Sequence, residues 1–432
     1  MQPKAASVRC PYMRRPRCLN APWPSAFLKH MRSVKFFFLF SCTSFAISLL
    51  LVQFAIRQDQ RAINESLIQE AIKNVGREYR YKDINRKMNK FSDVFKYILL
   101  WTQSDYAPFY FFGEGQRAFL ENNCSVIKCY VTTNRNFFGG DLTKFDAIAF
   151  NGRNMKSSDL PSVRSPHQKY IFFNMESAEN YPVCKEQFEG FFNWTSTYRL
   201  DSDIPYPYIL VRDIKGQIVG PKRKMRWNKD MAAVGDEFVN RIKNKTKAAA
   251  WFVSHCNSMS DRQGYVSALG NALDPYGLTI DVYGECGTLK CLKNDEFCNY
   301  LLKRDYFFYM SMENSFDKDY VTEKVLTPLQ HDVVPIVYGG ADYSRFLPPG
   351  SYIDSRKQDV QQLAAMMDKL MRSPKEYSQY FRWKHHYAFH NPSSIENVCA
   401  VCEALHDKNM FQKTTIYNDF RNWWNPHFHD RC

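Results

Sequence analysis

Residues 305–338 read DYFFYMSMENSFDKDYVTEKVLTPLQHDVVPIVY, and the rest of the chain is interpreted around this stretch. The aromatic run Tyr306–Met310 and the apolar run Val333–Val337 both predict buried strands. Between them, Asp319 is predicted to cap a helix that carries a Glu-Lys pair in its first turn. In a parallel α/β sheet such a loop opens onto the ligand crevice, where a helix N-terminus attracts anions. The polar residues of the loop therefore predict a site for a sugar and a diphosphate.

This stretch resembles the signature of the α1,3-fucosyltransferases, glycosyltransferase family 10, in the form found in invertebrate members. The matching residues are Phe308-Tyr309, Glu313-Asn314-Ser315, Asp319 to Lys324 and Val333 to Val337. An ordinary strand–helix–strand unit would account for the apolar residues but not for the Glu-Asn-Ser and Glu-Lys groups. The resemblance extends over roughly residues 97–432. It implies an α/β fold of the GT-B type, with two Rossmann-like lobes that face a cleft.

The net charge of the chain does not favour a nucleic-acid-binding protein. Of the +14 carried by 432 residues, +8 lies in residues 1–35, which contain no acidic side chain. The remaining +6 is spread over the rest of the chain, which suits a site for a dianionic nucleotide sugar better than a nucleic-acid stripe.

Residues 36–56 contain no formal charge and are predicted to form a transmembrane signal-anchor. A helix of this length spans roughly 31 Å, about one hydrocarbon core. A cleaved signal peptide is the alternative. The basic residues before the segment place the N-terminus in the cytosol, so a single-pass type II protein of the Golgi membrane with a luminal catalytic domain is expected. Met31 is an alternative start.

The remaining segments are assigned from composition and apolar periodicity. Short apolar runs that alternate with helical stretches indicate α/β, and the resemblance implies what each lobe binds. The predicted segments are a basic tail (1–35), the anchor (36–56), a stem (57–96), an N-terminal acceptor-binding lobe (97–235), a C-terminal GDP-fucose-binding lobe (248–385) and a C-terminal segment that packs back on the body (386–432).

Ten of the thirteen cysteines follow the apolar segment, which predicts disulfides in an oxidising lumen. A zinc site at Cys399-x-x-Cys402 is the alternative, although no second pair lies at finger spacing. Four sequons fall on the predicted luminal side and are candidate N-glycosylation sites. Their acceptor residues are Asn64, Asn123, Asn193 and Asn244.

The resemblance implies a donor site for GDP-fucose in the C-terminal lobe. Arg262 is matched to a diphosphate ligand, a role suited to a guanidinium because its planar fork can hold two phosphate oxygens. Lys324 is matched to the second phosphate contact, and Glu323 to an acceptor of a ribose or fucose hydroxyl. The other residues implied in this site are Ser254, Tyr309, Asn314 and Tyr320.

Glu176, at the end of the strand-like run Tyr170–Phe173, is the candidate catalytic residue. The resemblance makes it the general base that takes a proton from the acceptor hydroxyl. A structural role for this side chain is the alternative. The motif Asp201-Ser-Asp203 would bind a divalent metal in a GT-A transferase, which is a competing interpretation. No cofactor is expected to be obligatory, no metal ligand is assigned, and Mn²⁺ is expected to do no more than stimulate.

The resemblance therefore implies an inverting enzyme that moves L-fucose from GDP-β-L-fucose to GlcNAc in α1,3 linkage on the glycans of glycoproteins. The Cys286–Cys291 run and the Trp423-Trp424 tail resemble those of invertebrate members that fucosylate the N-glycan core, which favours the innermost GlcNAc as acceptor. A Lewis-type antenna GlcNAc is the alternative within this class. A membrane-tethered relative that binds glycans without transferring fucose is the alternative outside it.

Overall fold

The structure is a computed structural model that describes residues 94–291, 296–392 and 394–432, together with Gln53. The residues from Val94 onward belong to one compact unit, which begins at Lys87. In this part of the chain no helix is both long enough and apolar enough to cross a membrane. The predicted tail, signal-anchor and Asn64, and the stem as far as residue 93, lie outside the described residues apart from Gln53.

The elements alternate between strands and helices along most of the unit. The strands are β1 (Lys96–Leu100), β2 (Cys129–Thr132), β3 (Ala147–Asn151), β4 (Lys169–Asn174), β5 (Trp194–Thr197), β6 (Leu210–Asp213), β7 (Ile218–Gly220), β8 (Lys247–Phe252), β9 (Ile280–Tyr283), β10 (Tyr306–Met312), β11 (Val334–Tyr338), β12 (Ile353–Asp354) and β13 (Tyr387–His390). The helices are α1 (Arg117–Glu121), α2 (Asp236–Ile242), α3 (Arg262–Leu273), α4 (Glu296–Asp305), α5 (Leu326–Gln330), α6 (Val360–Arg372), α7 (Pro374–Ser378), α8 (Ser394–His406), α9 (Lys408–Gln412), α10 (Phe420–Trp424) and α11 (Phe428–Arg431).

The first sheet has the strand order β2-β1-β3-β4-β5 and is parallel throughout. Strand β4 is buried at all six positions, as expected for a parallel sheet covered on both faces. Successive residues of β4 reach opposite faces. Phe173 packs in the cluster that contains Val401 of α8, whereas the ring of Phe172 contacts Phe420 and Trp424 of α10. The C-terminal helices therefore cover both faces of the first sheet.

The second sheet has the order β12-β11-β10-β8-β9 and is also parallel. Its central strand, β10, is buried at every position. Helices α3 and α6 cover one face, where Leu269 and Met367 pack with Phe308 and Ile336. The α/β prediction is confirmed by both sheets. Two parallel sheets in one compact unit are also what the GT-B expectation requires.

A small antiparallel sheet with the order β13-β6-β7 occupies part of the segment between the lobes. Strand β7 and helix α2 lie in this segment, and β6 pairs with β13 from the C-terminal part of the chain. The pairing was not predictable because its partner lies about 180 residues further along, and short edge strands carry weak patterns.

The predicted capping role of Asp319 is wrong. Asp319 adopts a positive φ of 62°, and its Oδ2 accepts a hydrogen bond from Leu200 N at 3.1 Å. Its other carboxylate oxygen pairs with Arg345. The helical segment begins four residues later, as the 3-10 turn Glu323–Val325 that leads into α5.

The ten cysteines that follow the apolar segment form five disulfides, as predicted. The pairs are Cys124–Cys399, Cys129–Cys402, Cys184–Cys432, Cys256–Cys286 and Cys291–Cys298. Cys399 and Cys402 each bond to a cysteine of the first lobe, so the zinc alternative has no free thiolate at this pair.

The sequons of the described chain differ in exposure. Asn123 and Asn244 are exposed. Asn193 is buried, its Oδ1 accepts a hydrogen bond from Tyr170 N at 2.9 Å, and its Nδ2 donates to Thr415 O at 3.0 Å. In the folded chain the amide of Asn193 is therefore not available to carry a glycan, which corrects that candidate.

Candidate active site

The loop after β10 holds a buried carboxylate that fixes a lysine. Glu313 is fully buried, and its Oε2 accepts a hydrogen bond from Lys324 Nζ at 3.0 Å. Thr322 donates to the same carboxylate through its backbone N at 2.9 Å and its hydroxyl at 3.0 Å. Burial lowers the pKa of Lys324, but the neighbouring carboxylates of Glu313 and Glu323 raise it by more. The pKa of Lys324 therefore lies above its usual value. Lys324 is therefore a fixed, protonated ammonium whose side chain keeps 25% of its surface exposed.

Arg262 begins α3 at the carboxyl end of the second sheet and is 4% exposed. Its Nη1 donates to Met312 O and its Nη2 to His255 O, both at 2.9 Å. Two of the five N–H donors of the guanidinium therefore bind backbone carbonyls, and the predicted contact with phosphate oxygens stays a prediction. Nε is buried and has no hydrogen-bond partner in the described chain. That N–H is the donor that a phosphate oxygen could still satisfy.

Of the other predicted donor-site residues, Tyr309 lies within β10, Asn314, Tyr320 and Glu323 lie in the segment after it, and Ser254 follows β8. Tyr309 and Tyr320 are buried, and burial raises the pKa of both hydroxyls. Asn314 is half-buried, and its backbone carbonyl accepts a hydrogen bond from Ser260 N at 3.1 Å. Glu323 is 59% exposed, with its Oε1 3.8 Å from Lys324 Nζ. Ser254 is exposed in the loop after β8.

Glu176 lies at the carboxyl end of the first sheet, directly after β4. Its side chain is 35% exposed, and its Oε1 is 3.3 Å from Arg153 Nη1. The guanidinium of Arg153 lies 4.4 Å from the ring centroid of Tyr106 and 5.5 Å from that of Tyr181. The two rings and the guanidinium restrict where the carboxylate can point, because cations favour the faces of aromatic rings.

Tyr208 and Tyr320 lie between the two lobes. The Tyr208 hydroxyl donates to Met175 O, one residue before Glu176, and its ring meets that of Tyr320 edge-on at 6.1 Å. Burial raises the pKa of Tyr208, and carboxylates of both lobes, Glu176 and Glu313 among them, raise it further. Tyr208 therefore links the end of β4, next to Glu176, to the segment after β10 that carries Tyr320 and Lys324.

A contact between two loops fixes the lobes beside Glu176. Asp317 Oδ2 accepts a hydrogen bond from Glu179 N at 3.1 Å, and Lys318 Nζ is 2.6 Å from Asp201 Oδ2. Burial raises the pKa of Asp317 to about 6. The segment after β10 therefore carries Lys324 and also contacts the first lobe through Asp317 and Lys318.

The metal interpretation of Asp201-Ser-Asp203 is wrong for these side chains. Burial would raise the pKa of Asp201, but hydrogen bonds from Arg199 and Lys318 lower it to about 2. Asp203 Oδ2 accepts from Thr195 N at 2.9 Å and from the Tyr417 hydroxyl at 2.8 Å. Both carboxylates are thus bound within the chain, in separate networks.

Sequence reasoning missed several residues of this site. Glu313 was recognised as part of a motif, but its role as the buried partner of Lys324 was not predicted. Arg153 and Tyr208 carried no signal, because they lie far from Glu176 or Tyr320 along the chain and meet them only in the fold. The sequence indicated Asp317 only weakly, as an acidic residue in the polar loop after β10.

Comparisons with known proteins agree with this geometry. The model described as "Fucosyltransferase, N-terminal" matches residues 94–209, and that described as "Glycosyltransferase family 10 (fucosyltransferase) C-term" matches residues 242–423. Alpha-(1,3)-fucosyltransferase C of Drosophila melanogaster is 39% identical over 343 residues, which cover 76% of this chain and 77% of that protein.

Two further proteins are similar. Glycoprotein 3-alpha-L-fucosyltransferase A of Drosophila melanogaster is 31% identical over 320 residues, 72% of this chain and 57% of that protein. A solved structure of an alpha1,3-fucosyltransferase with GDP-fucose has a TM-score of 0.46 at 15% identity, and covers 76% of this chain and 94% of that one.

The two parallel sheets, with polar side chains in the loops at their carboxyl ends, define an α/β protein of two lobes. With the family matches and the Drosophila relative, the particular class follows. The chain belongs to glycosyltransferase family 10 and is a fucosyltransferase. The resemblance stated from the sequence is thus confirmed.

Proposed function

We propose that this enzyme transfers L-fucose from GDP-β-L-fucose to GlcNAc in α1,3 linkage on protein N-glycans, in a fold of the GT-B type. The observation that carries the proposal is a series of contacts between the lobes: Tyr208 bonds to Met175, beside Glu176, and its ring packs on Tyr320, in the segment that carries Lys324. A carboxylate from one lobe and a fixed cation from the other suit a displacement at a sugar carbon.

The proposed reaction is a single displacement with inversion. The acceptor hydroxyl oxygen forms a bond to C1 of fucose while the bond from C1 to the β-phosphate oxygen breaks. Glu176 takes the hydroxyl proton, and GDP leaves with the bonding electron pair. General-base catalysis of this kind contributes about 10²- to 10⁴-fold.

In this mechanism Lys324 stabilises the negative charge that develops on the leaving diphosphate. Its ammonium is held by Glu313 and Thr322 before any ligand arrives, so little reorganisation is needed during reaction. The unpaired Nε of Arg262 supplies a second donor at the same edge of the sheet. The two cations are close enough that Arg262 lowers the pKa of Lys324, against the larger effect of the carboxylates.

The test uses GDP-fucose and two neutral acceptors, a glycopeptide with a chitobiose core and N-acetyllactosamine, with products read by mass spectrometry. Fucosylation of the innermost GlcNAc supports the favoured acceptor, and fucosylation of the lactosamine alone supports the Lewis-type alternative. Glu176→Gln should leave the Kd for GDP within about twofold and reduce transfer at least 100-fold. Glu237→Gln, an exposed change at the start of α2, is the matched control.

Two outcomes would overturn this assignment. If Glu176→Gln weakens GDP binding as much as transfer, Glu176 has a structural role. If the wild-type chain neither transfers fucose nor hydrolyses GDP-fucose with any acceptor, the protein is a glycan binder. Loss of all activity in EDTA would favour a metal-dependent route instead.

We also propose that the chain is a single-pass type II protein of the Golgi membrane. The uncharged segment 36–56 with its basic N-terminal flank supports this. The five disulfides support an oxidising compartment for the catalytic unit. Protease treatment of sealed Golgi vesicles should leave residues 94–432 intact, and their digestion would overturn the orientation.

A further inference from the structure

A groove of about 1090 Å³ opens on the second lobe, and none of the predicted site residues lines it. Its walls come from the segment 225–231 between β7 and α2, the loop 349–352 before β12 and the turn 379–383 after α7. The groove is slightly larger than the pockets of about 300 to 1,000 Å³ that hold small molecules. Its size therefore suits a short oligomer better than a single sugar.

The groove is cationic. Arg226, Lys229 and Arg382 line it, and no carboxylate is among the lining residues. All three side chains are exposed, and none makes an ion pair with any residue that the structure describes. By contrast Lys318 and Lys324, in the loop after β10, are both paired with carboxylates. The groove thus presents positive charge that the fold itself does not neutralise.

Aromatic side chains form much of the remaining wall. The Trp227 Nε1 donates to Ser344 O at 2.6 Å, and the ring of Trp227 meets that of Tyr387 edge-on at 5.0 Å. Trp383 is 5% exposed, and its Nε1 has no hydrogen-bond partner in the described chain. Tyr352, whose ring lies 5.9 Å from that of Tyr343, is half-buried. These rings are fixed by packing, so their exposed surfaces are available without reorganisation.

We propose that this groove binds an acidic oligosaccharide, one that bears carboxylate or sulfate groups, on a glycan of the glycoprotein acceptor. Fixed aromatic surfaces match the apolar faces of sugar rings. Guanidinium groups bind carboxylate and sulfate oxygens through paired hydrogen bonds. A polypeptide would use the charges but would leave the ring surfaces without a matching partner at most positions.

Binding is measured by isothermal titration calorimetry on the full-length protein saturated with GDP. The probes are 3′-sialyl-N-acetyllactosamine, 6-sulfo-N-acetyllactosamine, neutral N-acetyllactosamine and a hexaglutamate peptide. At least one acidic glycan should bind tenfold or more tightly than the neutral one and the peptide. The sialylated and sulfated probes decide between carboxylate and sulfate as the recognised group.

Charge-reversal variants assign the binding to the groove. Arg382→Glu and Lys229→Glu should each weaken binding of the acidic glycan at least tenfold. Lys215→Glu, the same charge change at the exposed tip of the β6–β7 hairpin, should leave it within twofold. Equal binding of the neutral and acidic glycans, tighter binding of the peptide, or equal effects of all three variants would overturn the proposal.

The proposal is separable from the proposed transfer reaction. Calorimetry reports binding whether or not fucose is transferred. Arg382→Glu should leave the Kd for GDP and the rate with a neutral acceptor unchanged, because Arg382 does not line the cleft. A wild-type chain that binds the acidic glycan without transferring fucose would overturn the reaction and leave the groove assignment standing.

Discussion

Among single residues, Lys324 and Glu313 form the pair on which the donor side of the cleft depends. Glu313 has no exposed surface and accepts hydrogen bonds from Lys324 and Thr322. Removing one partner of a buried pair leaves the other without compensation, which costs about 3 to 5 kcal/mol. The same ammonium is assigned to the diphosphate, so one substitution should disturb both stability and binding.

Lys324→Ala is expected to raise the Kd for GDP by roughly 10- to 100-fold, the loss of one charge-assisted hydrogen bond, and to lower the melting temperature. The double variant Lys324→Ala with Glu313→Gln should recover part of the melting temperature, because the buried carboxylate is no longer charged. Its affinity for GDP should stay low. Calorimetry with GDP and thermal melts separate the two effects, and recovered GDP affinity in the double variant would show that Lys324 acts only through structure.

The buried carboxyl group of Asp317 predicts how the free energy of unfolding depends on pH. Burial raises its pKa to about 6 in the folded chain, from 3.8 for an unperturbed Asp. The folded state therefore binds more protons between pH 4 and pH 6, so the free energy of unfolding falls as the pH rises through this window and is then constant. Asp317→Asn should remove that fall, about 1 to 3 kcal/mol. Denaturant unfolding between pH 4.5 and 7.5 tests this prediction, with the exposed Asp230→Asn variant as control. If the free energy of unfolding of Asp317→Asn fell with pH as much as that of the wild type, the prediction would be wrong.

The sequence predicted the residues that carry charge at the cleft better than it predicted their partners. Glu176 and Lys324 were identified from motifs, since each follows a strand end. Arg262 was assigned to phosphate from its motif, which does not show that two of its N–H donors bind backbone carbonyls in the fold. Arg153 was not predicted, because its proximity to Glu176 depends on the adjacency of β3 and β4.

Among the elements, long apolar strands were predictable and short or polar ones were not. The runs that became β4, β10 and β11 were identified to within a few residues. Strand β5, Trp-Thr-Ser-Thr, is fully buried yet mostly hydroxylated, so its pattern does not indicate a core strand. Strand β12 has two residues. Edge strands of this kind are specified by their neighbours in the sheet more than by their own sequence.

The loop after β10 links the lobes through Asp319, which has a positive φ. Asp319→Asn should keep the backbone conformation and the hydrogen bond from Leu200 N, because Asn tolerates this region. It loses the ion pair with Arg345 and should cost about 1 to 2 kcal/mol. Asp319→Ala loses both contacts in a strained conformation and should cost more, about 3 kcal/mol. Chemical denaturation measures the free energy of unfolding of both variants. Equal losses of stability would mean that the Leu200 contact contributes nothing.

Across the whole molecule, the C-terminal segment joins the end of the chain to the first lobe. Helix α8 packs in the core beneath the first sheet, and two disulfides tie it there, Cys124–Cys399 and Cys129–Cys402. These bonds span 275 and 273 residues. Because the two bonds lie side by side, each one closes only a short additional loop when the other is present.

This arrangement predicts strongly non-additive losses. Replacing either cystine with two alanines should cost about 3 kcal/mol, the value for a loop of 15 residues or fewer. Replacing both opens the circuit that runs through residues 124–184, the Cys184–Cys432 bond and residues 399–432, and this loop of about 100 residues adds roughly 5 kcal/mol in the chain-entropy description. The double loss should therefore exceed the sum of the two single losses, as measured by denaturant unfolding. Replacing Cys291–Cys298, which spans 7 residues, is the control for a short loop. If the stability losses of the two single replacements added up to that of the double replacement, the two disulfides would act independently and would not constrain the unfolded chain as one long-range link.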